Sequence, residues 1–185
     1  MQIDAQDYLR LVEDANRVAF VDIEATGLRG DYNSTLVVAI KPFHGDAYNF
    51  HVEQPGNDQK VVRLAKDALE QFDLWVTFYG KGYDIPFLNT RLLRWGRNPI
   101  EKRHHLDLYF TLKSNLLTAR KSQAHLLRFL GTEEQKMDMS PEDWNEVVAN
   151  PVKNMKKMVA RCESDVTGLQ GLYERTKHIV REIKR

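Results

Sequence analysis

The sequence predicts an α/β fold in which helices flank a central mixed five-stranded sheet. Three short apolar runs, at 18–23, 35–40 and 47–52, are separated only by turn residues, which indicates an antiparallel meander. Two later strand-like runs, beginning at residues 73 and 104, alternate with helical patterns, which is typical of parallel strands joined by helices. The first run is long and apolar, so we expect it to lie at the centre of the sheet.

Local signals mark the elements in chain order. An amphipathic helix is predicted over 3–15, and Asp58 is a plausible N-cap for a helix over 59–71. The fourth strand, over 73–79, ends in the turn Gly80-Lys81-Gly82. The remaining predicted elements are a helix over about 84–95, a segment from His104 to Phe110 that begins as a short fifth strand, and a helix over 122–130 closed by Gly131. An acidic loop over 131–143 follows, in which Ser140-Pro141 open a helical turn, and then a long helix from about Val152 to Arg181.

Composition predicts one globular domain over residues 1–185. The chain is 42% hydrophobic and 29% charged, and it contains no repeat or low-complexity segment. Its single cysteine, Cys162, excludes an intrachain disulfide and a CxxC metal site, and it fits an intracellular, cytoplasmic location. No run of about 18 apolar residues is present, so we expect no membrane association. We expect Cys162 and the three tryptophans, Trp75, Trp95 and Trp144, to be packing residues.

Charge is distributed unevenly along a chain whose net charge is only +1. Residues 1–58 have a net charge of −6 and residues 91–128 a net charge of +7. An acidic site beside basic segments suits a metal-dependent enzyme that acts on a polyanion, although solvated helix surfaces would give the same totals. The basic side chains that could contact phosphates are Arg91, Arg94, Arg97, Lys102, Arg103, Arg120 and Lys121.

Acidic residues in three separate segments form the candidate site. Asp22 and Glu24 alternate along the first strand, so both side chains point to the same face. Two adjacent carboxylates repel each other unless they share a cation, and hard oxygen ligands suit Mg²⁺ or Mn²⁺. Asp84 follows a glycine-rich turn at the start of a helix, where it could also be a simple N-cap. Asp165 lies beside the apolar stripe of the long helix, where an unpaired acid would be costly.

These segments, in this order, resemble the DEDD (DnaQ-like) superfamily of 3′–5′ exonucleases, which have a ribonuclease H-like fold. The resemblance rests on DIEATGL at 22–28, GYDIPFL at 82–88 and CESDV at 162–166. The segments HLDLYF, LRFLG and MSPEDW are similar to those of the YprB-like branch of predicted exonucleases. The resemblance implies a phosphodiester hydrolase that releases nucleoside 5′-monophosphates from the 3′ end of single-stranded DNA or RNA.

The resemblance also implies roles for individual residues. Asp22, Glu24, Asp84 and Asp165 would be the catalytic residues and would hold two divalent metal ions, Mg²⁺ or Mn²⁺. The substrate-binding residues would be Thr26, Gly27 and Leu28, with Tyr83 as a further candidate for stacking on a base, a role that Tyr79 could share.

The sequence departs from this family at residue 161. DEDD nucleases usually have a Tyr or His four or five residues before the last Asp, whereas this chain has Arg161 and Ala160. Arginine cannot act as an ordinary base, but it could position a phosphate. The attacking water then needs no protein base, or His105, His104 or Tyr83 replaces the missing residue, or the enzyme is slow or inactive. Asp107 is expected to cap or brace the helix after it.

Two other functions remain open. The same fold could act as a structure-selective endonuclease, or as a catalytically silent module that binds nucleic acid. We expect a nucleic-acid partner in each case, and a larger replication, repair or RNA-processing protein as a further partner.

Overall fold

A mixed five-stranded sheet forms the centre of the molecule. The structure is a computed structural model that describes residues 4–54, 56–132 and 140–183. Its strands are β1 (Val18–Ala25), β2 (Thr35–Pro42), β3 (Tyr48–His51), β4 (Leu74–Thr77) and β5 (His104–Asp107). They are ordered β3-β2-β1-β4-β5; β1, β2 and β3 pair antiparallel, and β1, β4 and β5 pair parallel. This arrangement confirms the predicted fold class and the central position of the first strand.

Helices cover the sheet. They are α1 (Ala5–Asp14), α2 (Gln59–Leu69), α3 (Asp84–Arg94), α4 (Leu108–Asn115), α5 (Gln123–Leu130), α6 (Pro141–Ala149) and α7 (Pro151–Thr176), with a 3₁₀ turn over Lys177–Ile179. Gly131, at φ 62°, closes α5 as predicted, and Ser140 caps α6 in a capping box with Asp143. Residues 133–139 of the predicted loop lie outside the described residues. No helix in the part of the chain that the structure describes is long and apolar enough to cross a membrane.

The segment from His104 to Phe110 begins as a short strand, as predicted, and this strand ends at Asp107, because the Asp107 carboxylate accepts a hydrogen bond from the N–H of Tyr109 and so caps α4. The predicted end of the long helix is wrong. The long helix ends at Thr176, five residues before the predicted end, and a 3₁₀ turn follows it.

Asp58 does not cap α2 with its side chain. Its buried carboxylate instead accepts hydrogen bonds from the N–H of Thr35 at 2.8 Å, from Nε and Nη2 of Arg91 at 2.8 and 3.0 Å, and from Nε1 of Trp95 at 2.8 Å. Arg91 also donates to the carbonyl of Gly30 at 3.0 Å. The prediction that Arg91 contacts phosphate is therefore wrong, because this guanidinium is buried and ties α3 to β2 and to the loop that follows β1.

The length of β1 relative to its neighbour determines where the acidic residues lie. The strand β4 pairs only with Val18–Phe20, so the last part of β1, which carries Asp22 and Glu24, extends beyond the end of β4. The helix α7 packs across the face of the sheet to which Asp22 and Glu24 point. Its buried contact residues are Met158, Cys162, Val166, Leu169 and Tyr173. One rigid strand and one rigid helix thus face each other at this end of the sheet.

Candidate functional site

Three carboxylates meet where β1 faces α7. Ligand oxygens of Asp22, Glu24 and Asp165 all lie within 4.8 Å of one another. Alternation along β1 puts Asp22 and Glu24 on one face, and the apolar stripe of α7 carries Asp165 to the same face. Glu24 and Asp165 are buried and Asp22 is half-buried. We call these three residues the acid group; with hard oxygen donors of like charge, it can hold a divalent cation.

Arg161 lies within the acid group. Its Nε donates to Oε1 of Glu24 at 2.7 Å, and its Nη2 lies 3.9 Å from Oδ2 of Asp165, one helical turn away on α7. Burial works against the charge of Arg161, but attraction to Glu24, Asp165 and Asp22 more than offsets it and raises the pKa of the guanidinium. Arg161 is therefore a permanent positive charge in the place where the sequence resemblance leads one to expect a Tyr or His.

Asp84 lies beside the acid group but is not a member of it. Among the described residues, the set of oxygens within 4.8 Å contains three of the four predicted acids and leaves Asp84 out. Asp84 is the first residue of α3 and is not its N-cap, which is Tyr83. The pKa of Asp84 is raised to about 7; burial is the largest cause and the charges of Asp107 and Glu24 act in the same direction, while hydrogen bonds from its own N–H and from that of Ile23 oppose them.

Asp107 braces the turn that carries Asp84. Its two carboxylate oxygens accept hydrogen bonds from the N–H groups of Tyr79 and Lys81, both at 2.9 Å, in addition to the bond that caps α4. The bond to Tyr109 confirms the predicted cap of α4, and the bonds to the turn after β4 are a further role that the sequence did not predict.

Tyr83 links the turn before α3 to the loop after β1. Its hydroxyl donates to the carbonyl of Gly27 at 3.0 Å. Burial raises the pKa of Tyr83 to about 12, and the negative charges of Asp84, Glu24 and Asp22 act in the same direction. A Cβ added at Gly27 would lie 2.6 Å from Oδ1 of Asn33, so a side chain there would displace the end of the Asn33 side chain.

An open apolar cleft begins at the acid group. It has a volume of about 450 Å³, and its walls are residues 23–28, Tyr83 and, from α6, Trp144, Asn145 and Val148. Leu28 projects into solvent at its rim and is 80% exposed. The structure thus brings together Thr26, Gly27, Leu28 and Tyr83, the four predicted substrate contacts. Sequence reasoning assigned Trp144 to packing and missed α6 as a wall, although MSPEDW was among the segments that carried the resemblance.

The histidines proposed as substitutes for the missing base have other contacts. Nε2 of His105 is hydrogen-bonded to Oγ1 of Thr77 at 2.8 Å, and its ring packs against Trp75. Burial lowers the pKa of His105 to about 3, and the positive charge of Lys81 adds to the effect, so the ring is neutral. Nδ1 of His104 lies 2.8 Å from the hydroxyl of Tyr8. These contacts give a water-positioning role no support.

Cys162 is buried between α7 and β1, as predicted for a packing residue. Its Sγ lies 3.5 Å from the carbonyl oxygen of Asp22, and burial raises the pKa of the thiol well above its usual range. This environment makes it a poor nucleophile.

Fold and site together define an α/β domain of ribonuclease H-like architecture with carboxylates at the end of its central strand. The chain belongs to the RNase_H superfamily, whose sequence model matches residues 19–177. No curated protein matches the sequence. Among solved structures, the chain is similar to the family B DNA polymerase from the hyperthermophilic archaeon Pyrobaculum calidifontis. The TM-score is 0.69 and the sequence identity 20%, and the match covers 85% of this chain and 24% of the polymerase. The chain thus spans about a quarter of the length of that polymerase, and at this identity the similarity shows a shared fold. The DEDD and YprB-like assignments stay predictions.

Proposed function

We propose that this protein is a metal-dependent nuclease, and more specifically a 3′–5′ exonuclease that acts on single-stranded DNA or RNA. The observation that carries the proposal is the acid group of Asp22, Glu24 and Asp165 at the edge of an open cleft. Membership of the RNase_H superfamily supports it. The cleft is open at the acid group, which suits binding of the end of a nucleic-acid strand.

The acid group fits a divalent metal ion. Two oxygens on opposite sides of one Mg²⁺ are about 4.2 Å apart, since each bond is about 2.1 Å long. The ligand oxygens of the acid group lie within 4.8 Å of one another, which is only slightly wider, so small side-chain movements would bring them around an ion. A bound divalent ion supplies Lewis-acid polarisation of the phosphodiester and a lower pKa for the attacking water. We propose that Asp22, Glu24 and Asp165 hold the metal and that Asp84, beside them, completes the catalytic set.

The cleft is proposed to bind the terminal nucleotide. Its apolar walls, Leu28, Trp144 and Val148, offer surfaces on which a base can pack, and the Tyr83–Gly27 hydrogen bond fixes the backbone next to the acid group. Hydrolysis there breaks the bond between phosphorus and the 3′-oxygen of the preceding nucleotide. The product is a nucleoside 5′-monophosphate.

Exposed aromatic rings on the turn after β4 and on α4 favour a single-stranded substrate. Tyr79 and Phe110 each expose nearly half of their surface, and their ring centroids lie 5.7 Å apart. The ammonium group of Lys113 lies over the ring of the neighbouring Tyr109, at 5.6 Å from its centroid. Rings and a nearby cation are typical of surfaces on which unpaired bases stack.

The contacts of the candidate bases favour a reaction that uses no protein base. His104 and His105 are engaged elsewhere, and the hydroxyl of Tyr83 already donates to Gly27 and has a raised pKa. Activation of the attacking water by a bound ion then suffices. Asp107 stays a bracing residue in this proposal.

The test is degradation of single-stranded DNA and RNA oligonucleotides labelled at the 5′ end, with Mg²⁺, Mn²⁺ or EDTA, by wild type and Asp22→Ala. We expect a ladder that shortens one nucleotide at a time from the 3′ end, release of 5′-monophosphates, and loss of activity with EDTA or in Asp22→Ala. Degradation that survives both EDTA and the substitution would overturn the proposal.

The same assay decides between the alternatives. Discrete internal cuts at junctions or loops would indicate a structure-selective endonuclease. Tight binding without hydrolysis in any metal would indicate a silent nucleic-acid-binding module. Four acids at one end of the sheet argue against a silent module, because Arg161 offsets only one of these charges and, without a metal ion, the remaining like charges destabilise the fold.

The wider context stays a proposal. We propose that residues 1–185 form one domain, that the protein is cytoplasmic, and that it works with a larger replication, repair or RNA-processing partner. The similarity in fold to a DNA polymerase supports the last point only as an analogy.

A further inference from the structure

The position of Arg161 bears on how many ions the acid group can hold, and this inference rests on the proposed metal-dependent function. The guanidinium contacts Glu24 at 2.7 Å and approaches Asp165 at 3.9 Å, so it bridges the β1 side and the α7 side of the acid group. We propose that the guanidinium of Arg161 takes the place of one of the two cations, so that the acid group binds a single divalent ion.

Charge balance supports a single ion. The three carboxylates of the acid group carry −3 when ionised, and Arg161 reduces this to −2, which one divalent ion neutralises. A second divalent ion would leave an excess positive charge in a largely buried site, even with Asp84 ionised beside the acid group, and this is unfavourable. Arginine stays charged at every working pH, so this positive charge is permanent.

The geometry of Arg161 also supports a single bound ion. The Arg161 side chain is only 15% exposed, and the backbone of α7 carries it on the same helix face as Asp165. Its bond to Glu24 is a short, charge-assisted hydrogen bond. A second ion would have to displace Arg161 from Glu24 and leave a partly buried guanidinium without this partner, which weakens binding of that ion.

The test counts bound Mn²⁺ and does not depend on catalysis. The full chain is stripped with EDTA and titrated with Mn²⁺, and free Mn²⁺ is measured by electron paramagnetic resonance. We expect one ion per chain for wild type and for Arg161→Lys, which keeps the charge, and two for Arg161→Gln, which removes it. Lys156→Gln removes the same charge from an exposed position on α7 and should still bind one ion.

Each outcome decides something. Two ions on wild type, or a single ion on folded Arg161→Gln, would overturn the inference and leave the proposed nuclease intact. No bound Mn²⁺ on wild type and on Arg161→Gln would overturn both. Circular dichroism checks that Arg161→Gln is folded; if it is not, the count on wild type decides by itself, since one ion upholds the inference and two overturn it.

Discussion

Asp84→Asn should stabilise the metal-free protein at alkaline pH. Asp84 is buried, and burial, together with the charges of Asp107 and Glu24, raises its pKa to about 7, whereas an unfolded chain gives about 3.9. A raised pKa means that the folded state keeps the proton up to a higher pH than the unfolded state does. The free energy of unfolding therefore falls as the pH rises from about 4 to about 7. Three pKa units correspond to about 4 kcal/mol of unfolding free energy lost above pH 7.

The expected gain for the variant is smaller than this loss. Asparagine keeps a carbonyl oxygen for the N–H of Ile23 but has one acceptor fewer, which costs about 1 kcal/mol. The net stabilisation is therefore about 3 kcal/mol at about pH 8.5, and close to zero or slightly negative near pH 4, where wild-type Asp84 is protonated in the folded state and about half protonated in the unfolded chain.

Urea unfolding in EDTA at about pH 4 and about pH 8.5 measures this difference. The matched control is Asp67→Asn, since Asp67 is exposed on α2 and should change stability by less than about 0.5 kcal/mol at either pH. Saturating Mg²⁺ should shrink the advantage of Asp84→Asn, because the ion offsets the charge of the wild-type carboxylate. An equal effect of Asp84→Asn at both pH values would refute the reasoning.

Three further changes test other parts of the structure. Asp58→Asn leaves the buried guanidinium of Arg91 without its carboxylate and should lower the urea-unfolding free energy by about 3–5 kcal/mol; a loss below about 1 kcal/mol would contradict the assigned network. Leu28→Ala should weaken binding of a single-stranded oligonucleotide by about 1 kcal/mol, roughly fivefold in fluorescence anisotropy, and leave stability unchanged. Leu93 is also exposed but lies outside the cleft lining, and Leu93→Ala should change neither. Cys162 should not react with Ellman's reagent in the native protein and should react fully in guanidinium chloride; fast native labelling would show that α7 does not bury it.

Local patterns were sufficient to predict most of the sheet. The run TLVVAI is rich in β-branched residues and apolar after Thr35, and it forms β2 with Thr35–Ile40 buried. Asp22 and Glu24 alternate on β1, so their common face followed from strand geometry alone. The segment LYF after Asp107 has the composition of a strand but forms the first turn of α4, because the Asp107 cap overrides that local preference.

Local sequence patterns could not predict contacts between residues that are far apart in the chain. Asp58 lies 33 residues from Arg91, and Glu24 lies 137 residues from Arg161. A capping preference describes the neighbours of Asp58, but it carries no information on a guanidinium that arrives from another helix. For the same reason the sequence identified Arg161 as a departure from the family, while its place inside the acid group became visible only in three dimensions.

The most direct test of the central claim is the rate at which wild type and Asp165→Asn hydrolyse the same single-stranded oligonucleotide in saturating Mn²⁺. Asp165 is buried in the acid group and is not among the described residues that line the cleft, so this change alters the metal site with little effect on substrate packing. The account predicts measurable hydrolysis by wild type and a rate at least about 100-fold lower for folded Asp165→Asn. Equal rates for the two proteins would contradict it.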